Sequence, residues 1–135
     1  MNNLLSFVLF LLALGAAQQA GCAVEASLGK EFELSFGRRA AVAGEGLRVE
    51  FTSVVEDSRC PKGAECIWEG NARVRLRVSA DGKEPAALEL GTNLDPRSAS
   101  YQGYQITLER LAPYPAAGQK LDAESYVATL TVRKP

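Results

Sequence analysis

A period of two in the apolar residues is the feature that most limits what this chain can fold into. Ala72, Val74, Leu76 and Val78 alternate with Arg73, Arg75, Arg77 and Ser79, which gives a single strand one apolar and one charged face. The same alternation runs through Leu28, Lys30, Phe32, Leu34 and Phe36, through Leu47, Val49 and Phe51, and through Tyr104, Ile106 and Leu108. It returns last in Tyr126, Ala128, Leu130 and Val132. Residues 40–43 make a further short strand, and residues 86–90 another, the latter joined to 72–79 by Asp81-Gly82. An Asp-Gly pair favours the type I′ hairpin turn. Val54-Val55 breaks the alternation and predicts a bulge.

Gly44-Glu45-Gly46 and Pro113-Tyr114-Pro115 act as punctuation, because glycine opens turns and proline cannot donate to a central ladder. Residues 23–30 read as a tether or lead-in, and 91–103, rich in Ser, Asn, Gly and Pro, as a loop. No stretch of the domain has the helical period. The expectation is an all-β chain, a single antiparallel β-sandwich of immunoglobulin-like type with about seven strands and one disulfide-closed loop.

Residues 4–17 are almost wholly apolar and are followed by Gln18-Gln19-Ala20-Gly21-Cys22. That run is short for a bilayer span, which takes roughly 20 residues, and suits the core of a secretory signal. The usual basic start is missing from Met1-Asn2-Asn3. Two cleavage sites compete. Gly15-Ala16-Ala17 offers small residues to a general signal peptidase, and Gln19-Ala20-Gly21-Cys22 resembles the lipobox of bacterial lipoproteins, with Gln19 in place of an aliphatic residue. The chain has three cysteines; if Cys60 and Cys66 pair, Cys22 is left over, and lipidation accounts for it. The reading is therefore a signal peptide over 1–21 and a β-sandwich domain over 22–135, held to the membrane by an N-terminal lipid.

Between two of the strands lies Asp57-Ser58-Arg59-Cys60-Pro61-Lys62-Gly63-Ala64-Glu65-Cys66-Ile67-Trp68-Glu69-Gly70-Asn71, with the only tryptophan of the chain. Five residues separate Cys60 from Cys66, wider than the C-x-x-C of redox pairs. No histidine exists in the chain to complete a zinc site. A disulfide stapling the loop in an oxidising compartment is the expectation. Trp68 then reads as a core tryptophan packed on that bridge, or as a recognition aromatic at the loop edge. Arg59 in the same loop is a candidate binding residue.

Arg73, Arg75 and Arg77 share one strand face at roughly 7 Å intervals. They form either an anion-binding stripe or, as the near-neutral net charge of -1 favours, a solvated row paired with Glu50, Glu89 or Glu109. Tyr101, Tyr104 and Tyr114 are candidates for a surface aromatic cluster, although Tyr104 suits the core and Tyr114 a strand-end clasp. The absence of histidine removes Ser-His-Asp and Cys-His catalysis. Asp57, Glu65 and Glu69 have no calcium-loop spacing, and an enzyme reading would need a carboxylate pair such as Glu65 and Glu69 working as acid and base. No catalytic residue, metal ligand or cofactor is expected, and the balanced charge gives no field for nucleic acid.

The Asp57-Ser58-Arg59-Cys60-Pro61 segment and Cys66-Ile67-Trp68-Glu69-Gly70-Asn71-Ala72 resemble a family of small bacterial exported proteins and lipoproteins, as do 108–115 and the last strand. The resemblance implies an all-β domain behind an export signal, and it carries no activity or site. By the same analogy, Ala23 after the cysteine implies an outer-membrane lipoprotein facing the periplasm. Together these readings predict a non-enzymatic, lipid-anchored interaction module whose partner is an envelope protein or glycan. A second expectation is an inhibitor or chaperone-like module that presents loop 57–71 to an exported enzyme.

Overall fold

The computed structural model describes residues 23–135. The signal segment, both cleavage sites and Cys22 lie outside the described residues. Among the described residues nine strands form two sheets. The five-stranded sheet has the order β1-β3-β4-β5-β6, with β1 at Val24–Ala26, β3 at Arg39–Val42, β4 at Leu47–Asp57, β5 at Ala72–Ala80 and β6 at Ala86–Gly91. The four-stranded sheet has the order β2-β9-β8-β7, with β2 at Phe32–Ser35, β7 at Ser98–Tyr101, β8 at Tyr104–Ala112 and β9 at Val127–Arg133.

The period of two decides what faces the interior. Val49 pairs with Val78 and Phe51 with Leu76 across β4 and β5, and all four are fully buried. Ile106 opposes Val132 and Leu108 opposes Leu130 across β8 and β9, and these are fully buried as well. The two inner faces meet as one core, within which Phe36 and Phe51 stand edge to face at 5.6 Å. The all-β fold and its two layers are as the alternation predicts. The bulge expected at Val54-Val55 is present, as register shifts in β4 between Phe51 and Ser53 and between Val54 and Glu56.

Three details differ from the sequence reading. There are nine strands rather than seven. The first addition, β1, is only three residues long and takes its place by pairing parallel to β3, so the sandwich is not wholly antiparallel. The second, β7, lies inside the stretch expected to be a loop; its Ser-Ala-Ser-Tyr sequence is polar because it is an edge strand, bonded only to β8.

The polypeptide links cluster at two ends. At one end the turns over 43–46, 81–85 and 102–103 are tied together. Asp81 N bonds Gly46 O at 3.2 Å, Tyr101 donates to Glu84 O and Tyr104 to Glu45. The other end carries the long link 58–71 between β4 and β5, the link 92–97 between β6 and β7, and the link 113–126 between β8 and β9.

Candidate functional site

The 58–71 link is built as a rigid base carrying an exposed tip. Cys60 and Cys66 form a disulfide with Cα atoms 5.9 Å apart, as the sequence predicts. Below the ring the two arms are laced together: Ser58 N bonds Asn71 O and Cys60 N bonds Glu69 O, both at 2.8 Å. The Ser58 hydroxyl donates to Asn71 O at 2.8 Å and accepts from Asn71 N at 3.1 Å. Gly70 lets the arms touch. It has φ +74, and a Cβ there would fall 1.8 Å from Ser58 O, so only glycine fits.

Arg59 is the keystone of this base rather than part of its surface. It is 5% exposed. Its guanidinium grips Asp57 in bidentate fashion, Nε to Oδ1 at 2.8 Å and Nη2 to Oδ2 at 2.7 Å. The remaining donors reach across to the other sheet, to Leu111 O at 2.6 Å and Pro113 O at 3.0 Å. Tyr126 donates to Asp57 Oδ2 at 2.9 Å. Burial raises the Asp57 carboxyl, but the hydrogen bonds from Arg59 and Tyr126 and the Arg59 charge outweigh it and hold the group below its usual range. Burial and the Asp57 contact push the Tyr126 hydroxyl up to about 12. Four of the five N–H donors of the fork are taken by its own chain, and the group is buried, so it is not displayed to a partner.

Tyr114 completes the clasp, its ring 5.1 Å from the Arg59 guanidinium and its hydroxyl 2.8 Å from Cys60 O. It fastens the strand end, as its position between prolines suggests. Tyr101 and Tyr104 are core residues, so the three tyrosines form no surface cluster. Asn71, which sequence reasoning passed over, is buried and joins the 58–71 and 92–97 links. Its Oδ1 accepts from Asn93 N at 2.9 Å and Leu94 N at 3.1 Å. Its partners lie more than 20 residues away, so no local pattern could reveal it.

Above this base, residues 62–69 are all exposed. Trp68, expected to pack on the disulfide in the core, instead stands outside it at 56% exposure, and Ile67 beside it is fully exposed at 105%. The reason is geometric: the ring lies beyond the last ladder pair, Asp57 with Ala72, so no facing sheet is there to cover it. The large hydrophobic side chains exposed among the described residues are Val55, Ile67, Trp68, Leu94 and Tyr114. All five lie at this one end of the sandwich, and none at the end closed by short turns. Isolated exposed hydrophobics are ordinary; here all five fall on the three links of one end or on the β4 stretch leading into them. Covering Ile67 alone would return about 1.5–3 kcal/mol.

The arginine row is on the outer face of the five-stranded sheet; Arg73, opposite Glu56, lies next to this end, and Arg75 and Arg77 lie progressively further from it. Arg75 bonds Glu89 at 2.5 Å, and Arg73 sits 3.4 Å from Glu56 and 3.9 Å from Glu89. Glu50 lies 3.6 Å from Arg39 and Glu109 accepts from Thr131, so neither takes a row member. Arg77 has no ion pair among the described residues and borders, with Arg39, Arg48, Glu50 and Ser79, a shallow depression of about 220 Å³. Two of the three arginines are thus neutralised where they stand. Glu65 and Glu69 are exposed on the loop, and no cluster of metal-ligating side chains occurs among the described residues. No family model, curated protein or solved structure matches the chain.

Proposed function

We propose that the chain is a non-enzymatic binding module of the bacterial envelope, anchored by lipid at Cys22, which engages its target through the apolar end formed by the 58–71, 92–97 and 113–126 links. The observation that carries this reading is the wholly exposed Ile67 beside Trp68 on a disulfide ring whose base is locked to both sheets. A rigid loop presents apolar side chains without ordering cost on binding, which is the condition under which a small patch yields useful affinity. The titratable pair with the most distinctive environment, Asp57 and Tyr126, is bonded to Arg59 inside the base. It serves the fold rather than an acid–base step.

A photo-reactive side chain placed at position 67 in the native envelope tests the reading, with Lys83 in the turn at the opposite end as control. Adducts at 67 and none at 83 are expected. Equal labelling at both positions, or none at either, would defeat it.

A further inference from the structure

Resting on the reading of Cys22 as the lipid anchor, we infer that the target of the apolar end is the bilayer interface itself, into which the Ile67-Trp68 tip inserts to fix the tilt of the domain. The direction of β1 carries the argument. It runs parallel to β3, and β3 runs antiparallel to β4, so the chain enters β1 from the side toward which β4 delivers the 58–71 link. One residue, Ala23, separates Cys22 from the first residue of β1, and two residue steps span at most about 7 Å. An anchor that short holds the domain against the lipid surface, with the corner at Val24 touching it.

Val24 is level with Ala40 and hence with Val49. The ring begins past Asp57, eight residue steps beyond Val49 along β4, or about 25 Å at ~3.3 Å per residue. The anchored corner and the apolar tip are therefore two separated contacts on the same side of the molecule. One plane can meet both if the sandwich leans. Val55, exposed on the stretch of β4 between them, falls along that line.

The chemistry of the tip suits this occupant. Tryptophan and tyrosine favour the membrane–water boundary, where one end of the ring is apolar and the other wet, and a fully exposed isoleucine belongs just beneath it. The exposed charges on the three links, Lys62, Arg97 and Lys120 against Glu65, Glu69, Asp95, Asp122 and Glu124, leave a small negative excess, so contact draws nothing from anionic lipid. A single inserted loop contributes less than an acyl chain, so in the anchored protein its main effect is orientation, and its share of retention shows only once the acyl anchor is removed.

Trp68 is the only tryptophan and so reports on the tip without labelling. The full-length protein, purified from its own membranes and confirmed by intact mass to carry acyl chains on Cys22, is reconstituted into phosphatidylethanolamine–phosphatidylglycerol vesicles and into pure phosphatidylcholine vesicles. In both, Trp68 emission is expected to shift to shorter wavelength relative to the Ile67→Asp variant, to lose quenching by iodide and to gain quenching by brominated acyl chains. Emission that stays fully open to iodide in acylated, vesicle-bound protein would overturn bilayer docking and leave the anchored binding reading intact. Absence of acyl chains on Cys22 would overturn both.

Discussion

Replacing Arg59 by alanine separates a structural from a recognition role for this residue. The substitution removes four hydrogen bonds: two to Asp57 and one each to Leu111 O and Pro113 O. Breaking a buried pair by deleting one partner costs about 3–5 kcal/mol, because the other charge is left stranded. Asp57 keeps the Tyr126 hydroxyl and its side chain is 12% exposed, so water repairs part of the loss and the lower figure applies. About 3 kcal/mol is a large share of the 5–15 kcal/mol that holds a domain together, and at ~4–8 °C per kcal/mol it lowers the thermal midpoint by roughly 12–24 °C. Urea unfolding followed by far-ultraviolet circular dichroism measures the change, with the slope m unaltered if the denatured state is unaffected. Adding Asp57→Ala to Arg59→Ala should recover part of the loss, since the stranded carboxylate is then gone. A loss below about 1 kcal/mol, the size of an exposed ion pair, or no recovery in the double variant, would refute the buried-keystone account.

Three further outcomes follow from the same base. Gly70→Ala should destabilise by about 2 kcal/mol or more in the same urea assay, since it adds a Cβ within 1.8 Å of Ser58 O at positive φ. The Asp57 carboxyl is held below its unfolded value of about 3.9, so its stabilisation is complete above that pH and is lost as pH falls through the folded value. Thermal midpoints of the parent should drop over that acid window, and those of Asp57→Asn should drop less. Removing the disulfide with Cys60→Ala and Cys66→Ala should cost about 2 kcal/mol, the chain-entropy value for so small a ring, with the strand signal in circular dichroism retained because the hydrogen bonds between residues 58–60 and 69–71 remain.

Strands with one buried and one wet face were legible because alternation is a local property. The Val74, Leu76 and Val78 face of β5 needed no knowledge of its neighbours. β7 was not legible, since a polar edge strand reads like a loop until β8 is there to pair with it, and β1 was too short to show a period. The disulfide could be read from cysteine spacing and count. The environment of Trp68 could not, because being beside a bridge does not say on which side of the sheet the bridge lies. Arg59 had a local signal, an aspartate two residues earlier, but its burial depends on Leu111 O and Pro113 O, over 50 residues away. The pairing of the arginine row with acids was foreseeable in kind. Its particular partners, Glu56 for Arg73 and, among the described residues, none for Arg77, depend on strand register.

The account stands on a division of labour within 57–71: a base that holds the fold and a tip that binds. Retention on purified envelopes of the Cys22→Ser protein freed of residues 1–21, compared with the same protein carrying Ile67→Ser and Trp68→Ala and with thermal midpoints measured on both, tests that division most directly. Loss of a hot spot of about 2 kcal/mol predicts roughly 30-fold weaker retention with the midpoint nearly unchanged, as for other exposed substitutions. Unchanged retention, or a midpoint that falls in step with it, would contradict the account.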